Sequence, residues 1–328
     1  MPRKTLFGRR TRLTAVRDVT LTIGPGETLG LVGESGSGKS TVGRLILGLE
    51  APDVGEVLFD GQPLEMDNRR AWREERRNKQ LIFQDPLGAL NPRHRVLDQV
   101  AEPLEVFGAG SMASRRDKAR QMLRRVGLSD SVLERFPNAL SGGQRQRIVI
   151  ARALILRPRF LVCDEPISAL DVSMQAQVVR LLAEVRDEFG LVMLFISHDL
   201  AVVRHIAHKV AVMYLGEIVE TAPVEALFSS PAHPYTQALI SAVPVPDPEA
   251  NRIRILLDGE PPQRLDDLKG CPFHTRCPRR QTVCEERAPE PVVATKLTYE
   301  VPGGRWPTAS SHSRRGLFPE TDQSSTSV

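Results

Sequence analysis

No stretch of this chain is apolar over anything near the roughly 18 residues that a bilayer-spanning helix needs, so a helical membrane protein is excluded at the outset. A secretory leader pattern is missing too: Met1 to Arg12 is basic, with no apolar core after it. Cysteine is sparse, with four in 328 residues and three of them in one C-terminal cluster, which is not a disulfide framework spread through a secreted fold. Excess charge is small as well. A net charge of +4 suits an anionic ligand or proximity to a membrane but does not demand nucleic acid. These absences predict a cytosolic chain, long enough for one large domain or two with a proper core.

What is present is organised around Gly33-Glu34-Ser35-Gly36-Ser37-Gly38-Lys39-Ser40, followed by Thr41. Thr28 to Val32 before it reads as a short buried strand, and Thr41 to Leu49 after it has helical apolar spacing. Strand, glycine-rich loop and helix together make a phosphate site. Gly36 and Gly38 let successive backbone N–H groups converge on one anion in front of the positive helix end. Lys39 adds a point charge for β- and γ-phosphates, and the Ser40 hydroxyl is suited to Mg²⁺.

Along the chain, Val16 to Ile23 alternates like a strand, and Glu56 to Phe59 reads as another. Arg69 to Lys79 is a basic run, read as a solvated helix face, with contact to phosphate as the other reading. Leu81 to Phe83 is a buried strand ending on Gln84, at the strand end where α/β sheets bind ligands. From Val96 to Asn138 the pattern is helical, which predicts a helical subdomain inserted into the sheet. It ends at Leu140-Ser141-Gly142-Gly143-Gln144, a second glycine-rich loop that opens a helix to Leu156. Phe160 to Cys163 is an apolar strand ending in Asp164 and Glu165. Adjacent acids at the end of a buried strand need a task, because unpaired buried charge is expensive; a metal ion and a water supply one, and an exposed strand end is the alternative. Asp171 stands near the start of the next helix. Leu191 to Ile196 is a further buried strand, ending on Ser197-His198-Asp199. His198 is placed to reach a phosphate, and a structural histidine is the other reading. Cys163, inside its strand, reads as a small buried hydrophobe.

Taken in order, the glycine-rich loop, Gln84, Leu140 to Gln144, Asp164-Glu165, Asp171 and His198 resemble the ATPase subunit of ABC transporters. In that family these are the Walker A loop, the Q-loop, the signature motif, the Walker B strand with its catalytic Glu, the D-loop and the H-loop. The resemblance narrows to the oligopeptide/dipeptide/nickel importer ATPases through Phe83-Gln84-Asp85-Pro86 with Leu90-Asn91-Pro92, Ser141 to Arg147, and Cys163 to Ser173. His233-Pro234-Tyr235-Thr236-Gln237-Ala238-Leu239 and Gly270-Cys271-Pro272-Phe273-His274 to Cys277-Pro278 are similar to that group's C-terminal extension.

The resemblance implies an α/β fold: a P-loop NTPase ABC domain with a RecA-like core sheet over residues 1–228 and an inserted helical subdomain over about 92–158. It also implies a C-terminal importer extension over 229–308 with the cysteine cluster; the polar stretch 309–328 is expected to be disordered. The implied cofactors are ATP and Mg²⁺. Gly33 to Thr41 would hold the phosphates; Ser40, Gln84 and Asp164 would hold Mg²⁺ directly or through water. Glu165 would polarise the attacking water, with Gln84 and His198 at the γ-phosphate. Two subunits would pair head to tail, so that Ser141, Gly142, Gly143, Gln144 and Asp171 of one complete the site of the other. The implied partners are two transmembrane permease subunits, a second ATPase subunit (identical or related) and, indirectly, a solute-binding protein outside the membrane, with no nucleic acid. The implied location is the cytoplasmic face of the cell membrane, as a peripheral subunit.

Two departures from the family stand out. Lys4 to Arg10 is similar to a segment that follows a first strand bearing an adenine-stacking aromatic, so that strand is expected to be missing. Phe7 is a poor substitute, and losing the platform would remove roughly 1–3 kcal/mol of base binding and expose a sheet edge. The second departure concerns Cys271, Cys277 and Cys284, which are similar to ligands of a [4Fe–4S] cluster. Such a cluster prefers four thiolates, and Gly304 to Ser310, where the fourth is expected, contains no cysteine. A non-cysteine fourth ligand, a zinc site with His274 and no metal at all stay open. A soluble ABC ATPase acting on ribosomes or nucleic acid is the alternative function; the interval from Lys39 to Asp164 is too short for the long coiled coil of such proteins. An inactive partner subunit is disfavoured by the intact Lys39, Ser141, Gln144, Glu165 and His198.

Overall fold

The computed structural model describes residues 14–65, 68–244, 254–260, 262, 269–292 and 305–307. The basic N-terminus with Phe7 and the polar stretch 309–328 lie outside the described residues. In chain order the elements are β1 (Thr28–Val32), α1 (Lys39–Ile46), β2 (Leu58–Phe59), β3 (Gln62–Pro63), α2 (Arg69–Asn78) and β4 (Lys79–Ile82). Four helices follow, α3 (Pro86–Ala89), α4 (Val96–Val106), α5 (Met112–Arg125) and α6 (Gly142–Leu154), before β5 (Phe160–Asp164), α7 (Val172–Phe189), β6 (Val192–Ser197) and α8 (Leu200–Ile206). The chain continues through β7 (Lys209–Tyr214), β8 (Glu217–Pro223), α9 (Val224–Ser229), α10 (Pro234–Ser241), α11 (Val283–Glu286), β9 (Glu290–Val292) and β10 (Arg305–Pro307). The main sheet has the order β4-β5-β6-β1-β7-β8 and is mixed, with β4, β5 and β6 parallel and β7 antiparallel to β8.

The chain forms two compact units. One comprises Thr22–Gly30 and Ser40–Ala207. Its strands β5 and β6 are continuous apolar runs, Phe160–Cys163 and Val192–Ile196, nearly all buried. That is the pattern of parallel strands covered on both faces. The register sets Asp164 opposite Ile196, so the two strands end together. Helices begin where side chains satisfy their free N–H groups: Asn68 caps α2, Ser111 caps α5 and Asp171 caps α7. Ser141 and Gln144 form a reciprocal capping box on α6. Gly190 ends α7 in the left-handed conformation at φ 63°, which costs glycine little. No helix among the described residues is long and apolar enough to cross a membrane.

Of the described residues, the other unit comprises 14–21, Leu31–Lys39 and those from His208 onward. Its core joins β7 to the C-terminal segment through rings. Tyr214 lies 4.7 Å from Tyr235 and 5.2 Å from Phe273, the second pair edge to face, a favoured aromatic geometry. Glu220 is buried there and accepts N–H bonds from Ala232 (2.7 Å) and His233 (2.8 Å), which offset part of the penalty of burial; burial still pushes its carboxyl up.

The expected strand over Val16 to Ile23 does not form. Burial alternates there, with Leu21 and Ile23 half-buried between exposed Thr20 and Thr22, so the periodicity is genuine. However, Asp18 adopts φ 48°, which interrupts an extended run. The strand expected over Glu56 to Phe59 is confined to Leu58–Phe59, and the one read to Phe83 stops at Ile82, leaving Phe83 exposed.

Burial pushes the His233 imidazole down to about 3 from its ordinary 6.5, and its Nδ1 accepts the Tyr235 N–H at the start of α10. Between pH 6.5 and 3 the unfolded chain therefore binds a proton that the folded chain refuses, and stability falls with pH by at most about 1.4 kcal/mol per unit. His233→Asn keeps a capping acceptor and removes the titration. Urea unfolding across this window should show a shallower acid loss in the variant; an identical slope would contradict this assignment.

Candidate nucleotide site

The phosphate loop leaves β1 at Gly33, whose φ of 155° goes with a close approach: a Cβ there would lie 2.1 Å from the Met213 carbonyl oxygen. Gly38, at φ 103°, would place a Cβ 2.6 Å from the Ala15 carbonyl oxygen. Only glycine fits either position. The loop curls around the Lys39 ammonium, which is buried and donates to the carbonyls of Gly33 and Glu34, both at 2.8 Å, and to Ser37 Oγ at 3.4 Å. The Gly216 N–H donates to the Ser37 carbonyl at 2.8 Å, tying the loop to the β7–β8 turn, while Ser35 and Gly36 stay exposed at its tip. A buried cation bonded to oxygens of its own loop, under an exposed glycine-rich tip, fits a polyphosphate.

In the other unit, α1 carries Ser40 and Thr41 onward from the loop. Ser40 Oγ donates to Asp164 Oδ1 at 3.0 Å, a hydroxyl and carboxylate pair of hard oxygens suited to Mg²⁺. Arg44 donates to the Thr41 hydroxyl at 3.3 Å. One residue beyond β5, Glu165 adopts φ 46°, a left-handed conformation uncommon for a residue other than glycine and frequent at functional sites. Its N–H donates to the Ile196 carbonyl at 3.0 Å, which fixes it beside the end of β6. Gln84 Nε2 donates to Glu165 Oε2 at 2.9 Å. His198 Nδ1 lies 3.4 Å from the same oxygen, with the Glu165 side chain 15% exposed and that of His198 60% exposed. Glu165, Ser168, Gln175, His198 and Asp199 line a small cleft. The structure thus brings Gln84, Glu165 and His198 together.

Ser141 and Gln144 are occupied with each other at the start of α6: Ser141 Oγ accepts the Gln144 N–H at 3.3 Å and Gln144 Oε1 accepts the Ser141 N–H at 3.1 Å. At Gly143 a Cβ would meet Met174 Sδ at 2.4 Å, whereas at Gly142 it would stand 3.6 Å from Leu170. Asp171 Oδ1 accepts from Ser173 Oγ (2.7 Å) and the Met174 N–H (2.9 Å). The Ser173 hydroxyl first, and then the Met174 N–H, hold its carboxyl below the usual range.

Cys163 is fully buried, and burial pushes its thiol up, as expected of a hydrophobe in a strand. Near the C-terminus, Cys271 donates its N–H to the Cys284 carbonyl at 2.8 Å, and burial pushes its thiol up to about 12. The three clustered cysteines are free thiols, and among the described residues no group of three or more His, Cys, Asp or Glu is placed to hold a metal ion. The three clustered cysteines among the described residues fall short of the four thiolates that an iron–sulfur cluster prefers.

Two residues at the phosphate loop were not legible from the motifs. Arg276 makes a two-pronged ion pair with Glu34, at 2.8 and 3.1 Å, and Tyr235 Oη accepts the Glu34 N–H at 2.9 Å. More than 200 residues separate each from Glu34 in sequence, so no local spacing points to them.

The thiols offer a direct test of this geometry. In the folded chain at pH 8, iodoacetamide should label the half-exposed Cys277 and Cys284 ahead of Cys271 and Cys163, which react on unfolding. Peptide mass spectrometry reads the order, and early labelling of Cys271 would contradict its burial.

The ABC transporter family matches residues 16–168, and the oligopeptide/dipeptide transporter C-terminal region matches residues 219–284. The oligopeptide transport ATP-binding protein AppF of Bacillus subtilis is 48% identical over 292 residues, covering 88% of this chain and 89% of that protein. The oligopeptide transport ATP-binding protein OppF of Haemophilus influenzae is 47% identical over 286 residues, 86% of each. Among solved structures, a dimeric ATP-binding cassette in a post-hydrolysis state with ADP and Pi is similar at a TM-score of 0.58. It is 33% identical, and the match covers 64% of this chain and 90% of that one. The chain belongs to the ABC transporter family, as an ATP-binding subunit with that family's ATPase fold and an oligopeptide/dipeptide transporter C-terminal region.

Proposed function

We propose that this chain is the ATP-hydrolysing subunit of an importer for oligopeptides, dipeptides or a related small solute, docked at the cytoplasmic face of the cell membrane. The observation that carries the reading is Glu165, held by Gln84 and adjoined by His198 just past the end of β5, next to an Asp164 already bonded to Ser40. Within it, Gly33 to Thr41 bind the phosphates, with Lys39 as the cation. Ser40 and Asp164, with Gln84, would hold Mg²⁺, which would neutralise charge that develops on the phosphates. Glu165 accepts a proton from water, and His198 and Gln84 orient the reacting groups. The protein's contribution is positioning and electrostatics.

Ser141, Gly142, Gly143, Gln144 and Asp171 serve in this reading at the nucleotide of a second ATPase subunit, identical or related. The printed names of the relatives concern oligopeptide transport, and the matched C-terminal region supports the same cargo class here. The remaining partners are two permease subunits and, through them, an external solute-binding protein, with no role for nucleic acid. Solute choice resides in those partners. No step runs through an iron–sulfur cluster.

Glu165→Gln should lower the ATP turnover number by about 10²–10⁴-fold, the range typical of a lost general base, while ATP still binds. Tagged Glu165→Gln protein, recovered from native membranes with ATP, should bring down two multi-span permeases and a second ATPase, identified by mass spectrometry. Recovery of ribosomes or nucleic-acid-binding proteins without a permease would overturn the importer reading.

A further inference from the structure

The phosphate loop carries a carboxylate at its second position. Glu34 sits between Gly33 and Ser35, and an uncompensated carboxylate there would repel a di- or triphosphate on the same loop. The compensation comes from the far end of the chain. Arg276 ends the short 3₁₀ turn His274–Arg276, and its side chain is only 8% exposed. Its Nη1 donates to Glu34 Oε2 at 2.8 Å and its Nη2 to Glu34 Oε1 at 3.1 Å. This is the fork-on-carboxylate geometry that only arginine provides.

The turn carrying Arg276 is anchored where the pair needs it. Phe273, one residue before the turn, is 1% exposed. Its ring lies 5.2 Å from Tyr214, 5.5 Å from Tyr235 and 5.4 Å from His233. Tyr235 from the same cluster takes the Glu34 N–H, while the Glu34 carbonyl takes Lys39 Nζ. Glu34 is therefore held at its N–H, its carbonyl and its carboxylate, and two of the three partners come from the segment beyond β8. All of these residues belong to one compact unit.

We propose that Arg276 is a positioning residue for nucleotide binding: it neutralises Glu34 within the phosphate loop, so the C-terminal segment sets the affinity for ATP and ADP. The inference rests on the reading of residues 33–41 as the nucleotide loop. It assigns to the C-terminal region a part in the ATP site itself. Its electrostatic content separates it from a plain structural staple: a staple suffers whichever partner is removed, whereas a neutralising cation is dispensable once the anion is gone.

Calorimetric titration of MgADP into the full-length chain tests this. Arg276→Gln should weaken binding by about tenfold, and Glu34→Gln should leave it within about twofold. The double variant should return to within about twofold of the parent. Arg276→Lys loses the two-pronged geometry but keeps the charge on which the neutralisation depends, and should stay within about threefold. The proposal is overturned if Arg276→Gln, with an unchanged melting temperature, binds MgADP like the parent. It is equally overturned if the double variant binds as weakly as Arg276→Gln. Should Arg276→Gln fail to fold, loss of binding beyond tenfold in folded Arg276→Lys overturns it, and near-parental binding supports it. A parent chain that binds no MgADP would instead count against the nucleotide reading of the loop.

Discussion

The contact on which the rest depends is a buried ammonium surrounded by its own loop. Lys39 Nζ holds the carbonyls of Gly33 and Glu34, and that arrangement requires a backbone that turns back on itself within six residues. Gly33 and Gly38 make the turn, each against a carbonyl oxygen that any Cβ would strike. The Gly216 N–H on the Ser37 carbonyl then fixes the curl from outside.

The acidic half of the chemistry depends on strand ends. β5 and β6 finish in register, and the chain must change direction immediately to expose Asp164 and Glu165 rather than bury them. Glu165 does so by adopting φ 46°, a conformation that costs of order 1–3 kcal/mol. The bond from its N–H to Ile196 and the hydrogen bond from Gln84 hold it there. Strain at this residue and a ready-made set of partners are two sides of one arrangement, since a base must be held before the water arrives. Gln84 links this base to the segment after β4, where Phe83 is left exposed beside it.

Most of the site was legible because its signals are local. A glycine-rich loop between strand and helix, a second glycine-rich loop opening a helix and paired acids after an apolar strand each lie within about ten residues. The buried strands β5 and β6 were legible for the same reason, as unbroken apolar runs. Legibility failed where a single backbone angle decided the outcome, as at Asp18, whose left-handed φ interrupts an otherwise alternating stretch. It failed again where partners are distant in sequence. Tyr235 and Arg276 meet Glu34 only because the aromatic packing of Tyr214, Tyr235 and Phe273 brings the chain's end to the loop. The cysteine cluster left iron–sulfur, zinc and no metal open in the sequence, and among the described residues no group of three or more His, Cys, Asp or Glu is placed to hold a metal ion.

Nucleotide binding at the Lys39-centred loop underlies the proposed function. The most direct measurement is the dissociation constant for MgATP of the full-length chain and of Lys39→Met, which removes the charge and keeps the side-chain length, at matched melting temperature. Loss of a charge-assisted contact to phosphate should weaken binding by at least about tenfold. Equal affinity in the two proteins would show that ATP binds elsewhere and would contradict the account.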